Sequence, residues 1–429
     1  MLIEFSVGNY LSFKDKVTFS MVASEVVAKN EKLNENNVFK VDDELSLLKS
    51  AAIYGANASG KSNLIKALEF MQNFVINSSK ATQITDKIDV EEFRLSTTTV
   101  GQPSFFEIVF YLEGTIYKYG FEVDQTQVVS EWLFHTPKVS ERKLFERKNS
   151  KFKVTKTFQE GEELTEKTRK NALFLSVASQ FNGRISTKIL YWFSHLKIIS
   201  GLRSNLMYRK DAVEYFKNSQ YQLDMINLIK KLDLGINDIK IEPRRIKAEE
   251  LASNLSTEEV NNILKYLGQA DDIKTIHKKY DEKGIPISEE IFDFDENESE
   301  GTKKLFAFAG IFLDALKNGK VLWIDELDAR LHPIMTRTIV NLFNSNETNH
   351  NNAQLIFITH DINLLSHELF RRDQIWFAEK NRQEATDLYS LVEFKISDEA
   401  ETSLENDYIK GRYGAIPFIG NLHQILGDL

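Results

Sequence analysis

The sequence predicts an α/β protein with a mostly parallel core sheet, an antiparallel β-layer and a helical insertion. Three observations carry this expectation. Residues 51–54 are an apolar run that enters a glycine-rich loop and then a helix with one apolar face. Residues 321–324 and 355–359 are uninterrupted apolar runs, the pattern of parallel strands covered on both faces. Residues 104–123 alternate apolar and polar side chains in two runs about a Glu113-Gly114 turn, the pattern of a hairpin.

Composition sets the bounds. A chain of 429 residues is long for one core, so two lobes or one lobe with an insertion is expected. Hydrophobic residues at 42% and charged residues at 27% are those of a soluble globular protein, and 30 phenylalanines supply a large core. The lack of cysteine removes disulfides and thiolate metal sites and fits a reducing cytoplasm. The opening "MLIEFSVGNY" carries Glu4 early and has no long apolar core, so no signal peptide is expected. No run approaches the roughly 20 apolar residues of a membrane span. A net charge of −9 lowers the expectation of nucleic-acid binding, although a local basic patch could still touch DNA.

In chain order, "LIEFSVGNYLSFKDKVTFSMV" reads as two β-runs around a polar turn. The next element is chemical. Gly55, Ala56, Asn57, Ala58, Ser59, Gly60, Lys61 and Ser62 match G-x-x-x-x-G-K-[ST] in full, with the strand before and the helix after that the motif requires. The glycines let backbone N–H groups close around phosphate oxygens, and the helix N-terminus adds partial positive charge. Lys61 reaches the β- and γ-phosphates, and the Ser62 hydroxyl ligates Mg²⁺. A bare glycine-rich turn explains neither the Lys-Ser pair nor both flanks.

The hairpin follows at Phe106, Ile108, Phe110 and Leu112, returning through Tyr117, Tyr119, Phe121 and Val123. "LFERKNSKFKVTKTF" reads as another hairpin with a solvated basic face. From about residue 203 to 284 the chain becomes polar and is read as helical; its heptads are too short-lived for a long coiled-coil arm. Then "FDENESEGTKKLFAFAG" places four acids, Asp295, Glu296, Glu298 and Glu300, before Gly301; the stretch Ser299-Glu300-Gly301-Thr302 leads into a helix through Leu316. A helix cap accounts for the acids in the first turn, but not for the Ser-x-Gly pattern.

"KVLWIDELDARLHP" supplies the partner of the phosphate loop. Asp325 and Glu326 follow the buried run at the carboxyl end of its strand, where ligands bind in open α/β sheets. Asp325 is placed to hold Mg²⁺ and Glu326 to polarise a water attacking the γ-phosphate. His360 ends the next buried run, about 35 residues on, one crossover unit away. It is read as a γ-phosphate contact.

This set resembles the P-loop ABC-class ATPases of the SMC, RecF and OLD type. Gly55–Ser62 is similar to their Walker A motif, and residues 321–326 to Walker B with its catalytic glutamate. Asp328 matches the D-loop aspartate and His360 the switch histidine. Ser299-Glu300-Gly301-Thr302 resembles the ABC signature loop, with one glycine where the family usually has two. The resemblance implies an ATP- and Mg²⁺-dependent ATPase head. It also implies that Asp328 is a nucleotide-binding residue and that the loop of Ser299 and Gly301 closes on ATP held by a second copy, giving a homodimer or a higher even-numbered oligomer. The family's Q-loop is not evident; Gln102 and Glu91-Glu92 are the candidates. The head is expected in two parts, residues 1–202 and 286–429, around an insertion at 203–285.

The 69 residues after His360 are too few for the nuclease domain that OLD proteins carry. The compact plan and the tail "YIKGRYGAIPFIG" resemble the abortive-infection AAA-type ATPases of bacterial phage-defence loci. That implies a cytoplasmic ATP switch for a separate effector, a nuclease or toxin, with a phage trigger. The alternative is a RecF-like repair or recombination ATPase acting directly on DNA. An ATP-bound scaffold without turnover is a third reading, and Glu326 argues against it. No membrane partner is expected.

Overall fold

The computed structural model describes residues 1–25, 28, 30–81, 83–137, 140–199, 205–232, 235–244, 270–395 and 403–417. The chain forms two compact units. One holds Met1–Gly201, Ala315–Ala329 and Thr336–Leu429; the other holds Leu202–Asp314 and Arg330–Met335.

In the first unit, β1 (Leu2–Gly8) and β2 (Val17–Ser20) begin an antiparallel sheet. A small pair, β3 (Val38–Lys40) and β4 (Ser46–Leu48), precedes β5 (Ser50–Tyr54). The antiparallel sheet then continues through β6 (Ser104–Leu112), β7 (Thr115–Val123), β8 (Val128–Thr136), β9 (Arg142–Lys148) and β10 (Lys151–Val154). Its order is β10-β9-β8-β7-β6-β1-β2. The expected hairpin is β6–β7: Glu113 and Gly114 both have positive φ, as a two-residue turn of matching twist demands. Phe106, Ile108, Phe110, Tyr119, Phe121 and Val123 are fully buried. The basic hairpin is β9–β10.

The core sheet has six strands in the order β11-β15-β16-β5-β17-β18. They are β11 (Lys197–Ile199), β15 (Val321–Ile324), β16 (Gln354–Ile358), β17 (Ile375–Lys380), β18 (Thr386–Ser390) and β5. Every pairing is parallel except β17–β18. The mostly parallel core and the antiparallel layer are therefore as the sequence predicts. Aromatic rings join the two sheets: Phe19 lies 5.0 Å from both Trp323 and Trp376, centroid to centroid. The buried Gln354 amide accepts from Leu2 N–H and donates to the carbonyls of Leu2 and Leu48.

The second unit departs from the helical expectation after its first two helices. Helices Asn205–Lys217 and Ser219–Lys231 are present. After them come β12 (Asp238–Arg244), β13 (Ala270–Tyr280) and β14 (Pro286–Asp293), a three-stranded antiparallel sheet. Ile239, Ile273, Thr275 and Ile276 are its buried residues. β-branched side chains at near-alternating positions favour a pleated surface over a helix, and the intervening charges hid that pattern. Residues 245–269, within the stretch from about 203 to 284 read as helical, lie outside the described residues. The helix Glu300–Asn318 follows this sheet.

Candidate functional site

The phosphate loop is built by its neighbours. β5, buried throughout, ends at Tyr54, and the helix Lys61–Asn77 starts seven residues later. Between them, Gly60 has φ of +102°, a conformation that disfavours any side chain. A Cβ there would also collide with Thr386 Oγ1 and come within 2.7 Å of Ser12 Oγ. These two hydroxyls hold the loop in place. Thr386 Oγ1 donates to the Ser59 carbonyl at 2.8 Å, Ser12 Oγ lies 2.8 Å from Thr386 Oγ1, and Asn63 Nδ2 donates to Ser12 Oγ at 2.8 Å.

Lys61 is buried and donates to the carbonyls of Gly55 and Ala56, each at 2.8 Å. Burial pulls its ammonium down to about 8, against the opposing pull of Asp325, Glu326 and Asp328. The lysine thus rests on its own loop, along the path a phosphate would take.

β15 delivers Asp325 and Glu326 beside this loop. Asp325 is buried, and burial raises its carboxyl pKa while a hydrogen bond from Ser62 lowers it. Its Oδ1 is buried without a hydrogen-bond partner among the described residues. A hydroxyl and a carboxylate oxygen, side by side with an unused lone pair, are the hard oxygen donors Mg²⁺ takes. The residues fit that ion. Glu326 is exposed and has φ of +54°, a rare conformation for a side-chain-bearing residue. The turn separates its direction from that of Asp325.

His360 lies two residues past the end of β16, which pairs with both β15 and β5. Its backbone N–H donates to Asp328 Oδ2 at 3.4 Å. Partial burial first, and then the Lys61 charge, lower the imidazole pKa, while Asp328, Glu326 and Asp325 raise it. One cleft of about 410 Å³ is lined by Asn57, Ala58, Ser59, Gly60, Lys61, Ser62, Asn63, Asp325, Glu326, Ile358, His360 and Lys380. The structure therefore brings the phosphate loop, Asp325, Glu326 and His360 together, with Asp328 behind His360.

Ser299 and Gly301 belong to the other unit. Ser299 Oγ accepts from Thr302 N–H at 3.1 Å, which is a helix cap. A Cβ on Gly301 would come within 2.7 Å of the Arg330 carbonyl, and Arg330 pairs with Glu300 at 2.7 Å. The competing helix-cap reading thus accounts for Ser299 as well as for the acids, and Gly301 is required by a backbone packed against it. Of the Q-loop candidates, Gln102 and Glu91 offer their carbonyls to Asn9 Nδ2 and Leu11 N–H, and neither they nor Glu92 line the cleft.

Sequence reading missed Lys380, Ser12 and Thr386. They carry no motif; the register of β17 with β18 brings Lys380 and Thr386 to the loop, and hydrogen bonds from Thr386 and Asn63 hold Ser12 there.

A solved structure, described as "Structure of the recombination mediator protein RecF-ATP in RecFOR pathway", is similar at 16% identity over 84% of this chain and 93% of that one, with a TM-score of 0.27. Among curated proteins nothing matches. A family model described as "AAA domain, putative AbiEii toxin, Type IV TA system" matches residues 50–366, from β5 through the cleft and beyond His360. Well over half of the 429 residues fall within that match, and the chain belongs to this family of AAA-type P-loop ATPases.

Proposed function

We propose that this protein is an ATP-driven switch. The carrying observation is the convergence of Lys61, Ser62, Asp325, Glu326 and His360 on one cleft. In this reading the loop Gly55–Ser62 wraps the phosphates, and Lys61 leaves its two carbonyls to meet them. Ser62 and Asp325 would hold Mg²⁺, which when bound supplies charge neutralisation at the phosphates. Glu326 orients and deprotonates the attacking water, and His360 contacts the γ-phosphate. A second copy contributes Ser299, Gly301 and Asp328, so that ATP closes two chains and hydrolysis reopens them. The output is control of a separate effector, a nuclease or toxin, in an abortive response to phage.

The charge distribution supports this over direct action on DNA. The basic run at β9–β10 is partly neutralised, with Lys143 on Glu146 at 2.7 Å and the buried Arg147 beside Glu131 at 3.7 Å. No helix of the described residues is long and apolar enough to cross a membrane.

The test is phosphate release and ATP binding by the full chain and by Lys61→Ala, with Mg²⁺ titrated. Wild type is expected to turn over ATP only with Mg²⁺, and Lys61→Ala to lose both activities. Turnover by Lys61→Ala at the wild-type rate would sink the site. Tight DNA binding that itself accelerates turnover would favour direct action on DNA.

A further inference from the structure

We propose that Lys380 is a second phosphate-binding cation of the cleft, reaching the nucleotide from the β17 side; this rests on the nucleotide-binding reading above.

Strand register places it. β17 runs parallel to β5 with Phe377 beside Tyr54. Continuing past that pair, β17 flanks the phosphate loop, and the Ala378 carbonyl sits against Gly55. Lys380 is the last residue of the strand and lines the cleft with Asn57 and Ala58.

Its direction follows from its cross-strand partner. Lys380 pairs with Thr386 on β18, and paired residues project from the same face of a sheet. Thr386 spends its hydroxyl on the Ser59 carbonyl and Ser12, so that face is the one turned to the loop. Glu379, one residue earlier, takes the opposite face, where it accepts from the Tyr389 hydroxyl at 2.9 Å. The strand end is also anchored, because Thr386 N–H donates to the Ser12 carbonyl at 2.7 Å.

Charge completes the argument. The cleft lining carries the carboxylates Asp325 and Glu326, and its formal cations are Lys61 and Lys380. His360 is shifted towards its neutral form. Without Lys380 the lining would present net negative charge to a polyanionic ligand. Lys380 has a weak competing ion pair: Glu384 stands 3.9 Å away and is 70% exposed. A phosphate would meet an ammonium carried on an anchored strand end and little neutralised.

The experiment is calorimetric titration of the full chain with ATP and Mg²⁺, for wild type, Lys380→Met and Lys380→Arg, beside apo melting temperatures. A charge-assisted hydrogen bond to phosphate predicts that Lys380→Met weakens binding by about tenfold or more. Lys380→Arg should bind within about threefold of wild type, since a cation able to make a charge-assisted hydrogen bond to phosphate is kept. The apo melting temperature should not move, because a solvated strand-end lysine contributes little to stability. Lys380→Met binding as tightly as wild type would overturn the proposal. So would weakened binding accompanied by a lowered apo melting temperature in both variants, which is the mark of a structural role. Failure of wild type itself to bind ATP would sink the nucleotide reading and this inference together; wild-type binding with an indifferent Lys380→Met sinks this inference alone.

Discussion

The backbone N–H of His360 donates to the Asp328 carboxylate at 3.4 Å, tying the loop after β16 to the loop after β15. The same carboxylate raises the imidazole pKa, which partial burial and Lys61 lower. Asp328→Asn keeps an acceptor and removes the charge. The His360 pKa is therefore expected to fall further below its ordinary value. Titration by NMR, with His360→Gln to assign the resonance, measures this. An unchanged or raised value would show that the two residues are not electrostatically coupled.

Glu326 lines the cleft beside Asp325 but leaves the strand through a positive φ. Glu326→Gln removes the base and keeps the size. Turnover should drop about 10²–10⁴-fold, the usual cost of losing a general base, with ATP binding intact. Closure would then outlast reset, and size-exclusion chromatography with ATP and Mg²⁺ should show a dimer. A monomer that holds ATP would contradict closure of two chains.

Burial holds Lys61 at about 8, so the apo ammonium is charged below that pH and neutral above it. Phosphate needs the charged form. ATP affinity should be nearly flat below about pH 7, be down about twofold by pH 8 and fall above it, approaching about tenfold per pH unit, because binding must take up a proton. Lys61→Met should bind weakly at every pH with that slope gone. Constant wild-type affinity up to pH 9.5 would refute the linkage.

Gly301 is packed against the Arg330 carbonyl, so Gly301→Asp adds both bulk and charge at the start of its helix. ATP binding should survive, since the phosphate loop is untouched, while hydrolysis fails. Mixing this variant with Lys61→Ala decides whether the loop acts across chains. A mixed dimer contains one site with neither defect if each site draws on two chains, and partial activity returns. If subunits exchange and activity stays at zero, either the defect acts within its own chain or both sites must work together. A fully active Gly301→Asp homodimer would remove the signature role.

The cleft was legible where its residues are contiguous. Gly55–Ser62 and Asp325-Glu326 announce themselves because backbone wrapping and metal holding need fixed short spacings. His360 was legible because a buried apolar run ends on it. Lys380, Ser12 and Thr386 were not, since they meet the loop through the β5–β17–β18 register and hydroxyl bonds that no spacing encodes. The sheet β12–β13–β14 was misread for a different reason. Segments such as "DDIKTIHKKY" carry charge at most outward positions, and tertiary cover of Ile273 and Thr275 outweighed local preference.

The sheet order has a consequence for the birth of the protein. β5 is flanked by β16 and β17, which begin about 300 residues after it ends. On the ribosome, at about 5–20 residues per second, β5 waits roughly 15–60 s for its first neighbour. The hydroxyl that steadies Ser59 comes later still, from Thr386. A growing chain therefore carries the complete glycine-rich motif long before it carries a nucleotide site. Nascent chains, and fragments ending before β16, present an unpaired apolar strand to chaperones and to each other. ATP protection against proteolysis, followed on chains of increasing length, should switch on abruptly only once Thr386 has cleared the exit tunnel.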